Sequence, residues 1–207
     1  KLTSIKLIGV AGLCSGAGTT QMCIMLAVFM GKVLKKKTAV AGDEVTYSLM
    51  LRQMQKAAAI QHKGIASRHA YSMDGIDYYC GIHDEDIGIL RQKYDVIILD
   101  ISFENTFDNT NVTFARMVSR LSACDEKILA GSMLPWKSRE CEKKMERIER
   151  FLDIRGLKMV TLAACDKEAV SIIKKHGVEV VLIPFERNPF VISGENLRSF
   201  LELLKIT

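Results

Sequence analysis

The residues best suited to chemistry lie in one short loop, Ser15-Gly16-Ala17-Gly18-Thr19-Thr20. Glycines at 16 and 18 let a backbone wrap closely, free of Cβ clashes. An apolar run at 5–11 precedes the loop, and a long apolar helical pattern at 19–34 follows it. A strand, a glycine loop and a helix start, in that order, aim backbone N–H groups at one point, where they can hold a phosphate. In such a loop Thr20 stands where a hydroxyl reaches Mg²⁺, so Thr20 is a candidate metal ligand. The plainer alternative is a tight strand-to-helix turn that needs small residues and nothing more.

Two acidic positions accompany the loop. Asp43 and Glu44 follow the run at 38–41, and Asp100 closes the apolar run Tyr94-Asp95-Val96-Ile97-Ile98-Leu99-Asp100. An acid at the carboxyl end of a strand is placed to hold Mg²⁺, because ligands of doubly wound sheets collect at strand ends. Strand-end acids also serve as plain caps or solvated groups. A phosphate-binding P-loop carries a lysine just before its Ser/Thr, and that charge reaches the β- and γ-phosphates. Here Thr19 occupies the position.

These residues need strands to end beside one another. Apolar runs at 5–11, 38–41, 76–79, 96–101, 127–132, 159–163 and 179–183 read as strands, mostly covered on both faces. Helical patterns alternate with them at 19–34, 47–57, 84–92, 112–121, 138–152, 167–175 and 195–204. The alternation predicts an α/β fold with a doubly wound, mostly parallel seven-stranded sheet and helices on both faces. The runs at 5–11 and 96–101 are the most continuously apolar and are expected at its centre. Asp166 is expected to cap the helix that begins at Lys167, and Gly177 to end it. The polar stretch at 58–75 reads as an excursion or a poorly paired strand. No linker, repeat or charge block divides the chain, so residues 1–207 are expected to form one domain.

Composition bounds the reading. Of 207 residues, 48% are hydrophobic and 26% charged, an ordinary globular balance. Lys and Arg exceed Asp and Glu by 29 to 24, a net charge of +5 without a clean basic stripe, so there is no strong nucleic-acid signal. The longest apolar stretch, 22–34, contains Gly31 and Lys32 and stops at Lys35-Lys36-Lys37, too short for an integral membrane segment. Six cysteines without a C-x-x-C pair argue against zinc and for free thiols, which suits a reducing, cytoplasmic location.

The chain resembles the MinD/ParA group of deviant Walker P-loop ATPases, and in particular the ATPase domain of TadZ-type proteins that position a pilus or secretion apparatus. The resemblance rests on the glycine loop and Tyr94 to Asp100. It also rests on Gly131-Ser132-Met133-Leu134-Pro135-Trp136-Lys137, on Ile183-Pro184-Phe185 and on Asn188-Pro189-Phe190. It runs the length of the chain in element order.

The resemblance implies ATP and Mg²⁺ as cofactors. Ser15, Gly16, Ala17, Gly18, Thr19, Thr20 and Asp100 would bind the nucleotide, Thr20 and Asp100 would hold the metal, and Asp43 would position attacking water. It further implies a homodimer and a protein partner in a membrane-associated assembly. Both family lysines are missing: Cys14 stands at the signature position and Thr19 at the second, and the family's glycine after the strand-end acid is absent from Ile101-Ser102-Phe103-Glu104-Asn105. Without these cations much of the electrostatic stabilisation of phosphoryl transfer is lost. The expectation is therefore a positioning or regulatory switch that hydrolyses ATP weakly or not at all. The alternative is a nucleotide-free scaffold on the same fold.

Other features carry local expectations. Cys14, beside a helix start, is either a reactive thiol or a small residue tolerated where lysine was lost. The last helix places Leu197, Phe200, Leu201 and Leu204 on one face, with a balanced polar face that suits packing on the domain. The mixed charges of 138–152 read as a solvated face. Trp136 is either a surface anchor or a cover for the sheet end.

Overall fold

The computed structural model describes residues 7–42, 44–52, 54, 58–60, 69–101, 111–162 and 167–206. β1 (Leu7–Gly12) leads through the glycine loop into α1 (Thr19–Val28), and the segment Phe29–Val33 continues it with π geometry. β2 (Thr38–Gly42) and α2 (Glu44–Arg52) follow. Three strands come next: β3 (Ala58–Ile60), β4 (His69–Met73) and β5 (Ile76–Cys80). The chain continues as α3 (Asp84–Lys93), β6 (Val96–Ile101), α4 (Asn111–Ser122), β7 (Glu126–Ala130) and α5 (Pro135–Glu149). It ends with β8 (Lys158–Thr161), α6 (Lys167–Lys174), β9 (Glu179–Leu182) and α7 (Gly194–Leu203).

Among the described residues the strands form one nine-stranded sheet, in the order β3-β4-β5-β2-β6-β1-β7-β8-β9. β1 and β6 lie side by side near its middle, every residue of both is buried, and Val10 pairs with Asp100. Their connections leave in opposite directions: α1 leads from β1 to β2, and α4 leads from β6 past β1 to β7. Right-handed crossovers in opposite directions put α1 and α4 on opposite faces. A crevice therefore opens at the carboxyl ends of β1 and β6, where the strand order reverses.

α1 is the main packing element of the core. Met22, Cys23, Ile24, Met25, Leu26, Ala27 and Val28 are all buried, so the helix is apolar nearly all round because neighbours surround it. Phe29 stacks on Phe200 of α7, with ring centroids 5.3 Å apart, which seats the terminal helix on the body as its apolar face predicts.

The expectation of seven strands is corrected to nine. Both additional strands fall in the stretch read as an excursion, and both pair antiparallel. For β4 the cause is the Asp74-Gly75 turn, which folds it back on β5. Asp74 (φ 53°) and Gly75 (φ 79°) both take positive φ, the backbone of a two-residue hairpin turn whose twist matches its strands. α5 begins at Pro135, earlier than expected, since proline at a first helical position loses no hydrogen bond. Gly177 ends α6 with φ 73°, as expected, while the cap assigned to Asp166 lies outside the described residues.

Candidate functional site

β1 stops at Gly12, and the Leu13 amide still donates to the Ala130 carbonyl of β7 (2.7 Å). The loop then leaves the sheet. Gly16 (φ 73°) and Gly18 (φ 78°) take left-handed backbone, which side chains adopt only at a cost. A Cβ on Gly18 would stand 2.4 Å from Leu162 Cδ1, so this glycine also lets the loop press on the chain after β8. A Cβ on Gly16 would meet nothing within 4 Å, so conformation alone requires glycine there and the space over it is open.

The Ala17 amide closes the loop on the Cys14 carbonyl (3.2 Å), and the Met22 amide donates to the Gly18 carbonyl (2.8 Å). Among the described residues, the amides of Gly16, Gly18, Thr19 and Thr20 donate to no protein acceptor. A helix start always leaves orphan donors. Here loop amides join them, and the helix dipole adds partial positive charge at the same place.

Behind the loop, Asp100 gathers two hydroxyls. Thr20 Oγ1 donates to its Oδ2 (2.7 Å), and the buried Tyr47 hydroxyl donates to the same oxygen (2.9 Å). Burial, reinforced by the nearby Asp100 charge, pushes the Tyr47 hydroxyl well above its usual range, so it stays a donor. Gly42, the last residue of β2, makes this contact geometrically feasible: a Cβ there would lie 2.1 Å from Tyr47 Cε2. Thr19 turns away. It is buried, and its Oγ1 lies 2.7 Å from where a Gly12 Cβ would stand.

The front of the loop meets α5. The Ser15 amide donates to Glu140 Oε1 (3.1 Å), and Lys137 Nζ donates to Glu140 Oε2 (3.1 Å). Cys141 of α5 neighbours Cys14, and its Sγ donates to the Ser132 carbonyl (3.7 Å). The Cys141 thiol, helped by the Ser132 backbone and Lys137 against burial and the Glu140 charge, brings the Cys14 thiol down to about 7. The neighbouring Cys14 and burial push Cys141 far up. Burial lowers the Lys144 ammonium to about 8, opposed by the charge of Glu140. Lys137, Glu140, Cys141 and Lys144 recur at the i, i+3, i+4, i+7 spacing of one helix face. The mixed charges of 138–152 lie on the solvated side as expected, with Ser138, Cys141, Met145 and Ile148 buried beneath them; what the sequence did not show is that Glu140, at the edge of that surface, reaches the loop. Trp136 is 73% exposed and does not cover the sheet end.

The structure thus brings together Ser15, Gly16, Ala17, Gly18, Thr19, Thr20 and Asp100. Asp43 and the segment after Ile101 lie outside the described residues. Tyr47, Glu140, Cys141 and the face of α5 were not singled out from the sequence; their contacts with Asp100, Ser15 and Cys14 join residues far apart in the chain. A nucleotide's phosphates fit the free amides and the open space over Gly16, and a metal fits the Thr20–Asp100 pair. The loop's side chains, however, offer no cation. Among the described residues no group of three metal-ligating side chains occurs, and no helix is long and apolar enough to cross a membrane.

No protein-family model matches the chain, and no curated protein sequence does either. Solved structures do. The chain is similar to the MinD cell division protein of Aquifex aeolicus, with a TM-score of 0.62 and 14% identity over 87% of this chain and 82% of that one. It is similar to the septum site-determining protein MinD of Pyrococcus horikoshii, solved with Mg-ADP, with a TM-score of 0.58 and 15% identity over 96% and 93%. A plasmid partition protein of Borrelia burgdorferi bound to AMPPNP matches with a TM-score of 0.59 and 16% identity over 98% and 97%. At such identities the likeness concerns the path of the chain. The fold of this protein is the P-loop fold of the MinD/ParA ATPases.

Proposed function

We propose that residues 1–207 form one P-loop domain of the MinD/ParA kind that binds ATP with Mg²⁺ at the loop 15–20. It serves as a positioning or regulatory switch for a larger assembly and hydrolyses ATP weakly or not at all. The observation that carries this reading is the set of free amides at Gly16, Gly18, Thr19 and Thr20, directly over the Thr20–Asp100 pair. The amides would hold phosphate oxygens, while Thr20 and Asp100 would hold Mg²⁺. When bound, Mg²⁺ supplies charge neutralisation between the phosphates. Asp43 would orient water.

Weak turnover follows from Cys14 and Thr19. Neither can place a charge on the oxygens where negative charge gathers. Like the Aquifex protein solved as a MinC:MinD complex, the chain would work through a protein partner, and a homodimer is the natural further assembly. A cytoplasmic, reducing location accords with Cys14, Cys23, Cys80, Cys124 and Cys141, all buried free thiols.

One observation favours the second reading, a nucleotide-free scaffold: Asp100 Oδ2 already accepts from two protein hydroxyls. Calorimetric titration with ATP and Mg²⁺, paired with phosphate release, separates the two. Saturable binding with turnover near background supports the switch. Absence of binding at millimolar ATP supports the scaffold. Robust turnover that Asp100→Asn abolishes would overturn the weak-ATPase reading.

A further inference from the structure

We propose that Lys137, carried on α5 instead of in the loop, is the phosphate-binding cation of this site, and that Glu140 occupies its place on the loop until an anion arrives. This inference rests on the nucleotide-binding reading above.

Glu140 accepts at once from a loop amide, Ser15, and from an ammonium, Lys137, each at 3.1 Å. That pair of donors is what a phosphate oxygen seeks: a backbone N–H and a cation. The carboxylate is thus an internal anion seated on the first residue of the loop that carries the free amides of Gly16, Gly18, Thr19 and Thr20. The charges around it agree. Lys144, one turn further along the same face, also acts on Glu140, and the Ser15 amide and Lys137 hold the Glu140 carboxyl below its usual range against a burial effect that raises it.

A lysine–glutamate pair three residues apart on an exposed helix is ordinarily a minor surface contact. The contact to Ser15 sets this one apart, because it crosses 125 residues of sequence to end on the candidate ligand site. Loss of lysine at 14 and 19 then leaves a cation at the site after all, supplied by a neighbouring helix. The Ser15 amide has a single N–H and Glu140 holds it, so the internal anion and a phosphate oxygen compete for that donor and for the charge of Lys137 beside it.

The test is calorimetry with ATP and Mg²⁺ on the wild type, Glu140→Gln, Lys137→Met and Lys137→Arg. It is joined to the pH dependence of the Ser15 amide resonance without ligand. Glu140→Gln removes the competing charge and should tighten binding about 3- to 10-fold, whereas Lys137→Met should weaken it about 10-fold, as loss of one charge-assisted hydrogen bond does. Lys137→Arg should retain affinity. In the wild type the Ser15 resonance should follow a carboxyl titration that Glu140→Gln abolishes.

If ATP binds the wild type and every variant alike, this inference is overturned while the nucleotide reading stands. Binding by neither the wild type nor Glu140→Gln overturns both. A Ser15 resonance with no carboxyl titration removes Glu140 from the loop and with it the competition.

Discussion

The two sides of the glycine loop are built on opposite principles. Behind it, Thr20, Tyr47 and Asp100 form a tight hydroxyl–carboxylate cluster at the ends of central strands, with Asp100 and Tyr47 buried. In front, Ser15, Glu140 and Lys137 meet near solvent, with side-chain exposures of 48% for Glu140 and 31% for Lys137. The buried side is held by geometry: Gly42 clears space for a ring, the ring delivers a hydroxyl, and one oxygen receives it. The front is held by charge, which water screens and a ligand can replace. A site with one fixed wall and one exchangeable wall suits a ligand whose metal end must be placed accurately and whose phosphate end displaces a stand-in.

The sharpest way to break this comparison is at Asp100. Asp100→Asn keeps the shape and removes the charge, and should weaken ATP binding in the presence of Mg²⁺ on the order of 10- to 100-fold. Binding of ATP in EDTA should hardly change. Equal losses with and without metal would mean that Asp100 supports the loop and holds no ion.

Next comes Gly42. Gly42→Ala drives a methyl into the Tyr47 ring and should cost about 1–3 kcal/mol in urea denaturation. In a Tyr47→Ala background the added methyl should cost far less, which a double-mutant cycle measures. An unchanged cost would show that the ring does not depend on that glycine.

A smaller effect is expected at Thr19. Thr19→Lys restores a loop cation and should tighten ATP binding several-fold, on the order of 1 kcal/mol, with turnover still near background because Cys14 remains. The gain should shrink when Lys137 is intact and Glu140 is neutralised, since two cations would then share one phosphate.

The smallest perturbation is chemical. Alkylation of Cys14 should accelerate as pH rises through about 7, because its thiolate is the reactive form and the neighbouring Cys141 thiol and Ser132 backbone favour it. Cys124, pushed up to about 12 by burial, should stay inert across the same range. Mass spectrometry of the alkylated protein reads both. ATP should protect Cys14, which adjoins Ser15.

How much of this was legible in the sequence depends on distance along the chain. The loop could be read because its glycines, its preceding strand and its helix lie within about twenty residues, and local backbone chemistry fixes their arrangement. The central place of β1 and β6 followed from unbroken apolar runs. The hairpin of β4 and β5 was present in Asp74-Gly75 but hidden by the polar residues around it. Tyr47 and Glu140 could not be read: their partners lie 53 and 125 residues away, and an amphipathic helix pattern does not say which face meets which loop. Thr19 reads as the site of a missing cation, and nothing in the sequence signals that Lys137 and Glu140, on a helix of mixed charges, reach the same loop.

The central claim is that the free amides of the loop receive phosphate oxygens. Titration of ¹⁵N-labelled protein with ATP and Mg²⁺ tests it most directly. The account predicts saturable shifts led by Gly16, Gly18, Thr19 and Thr20, with Ser15 moving as Glu140 departs. Unshifted loop amides at millimolar ATP, or shifts confined to another part of the molecule, would contradict it.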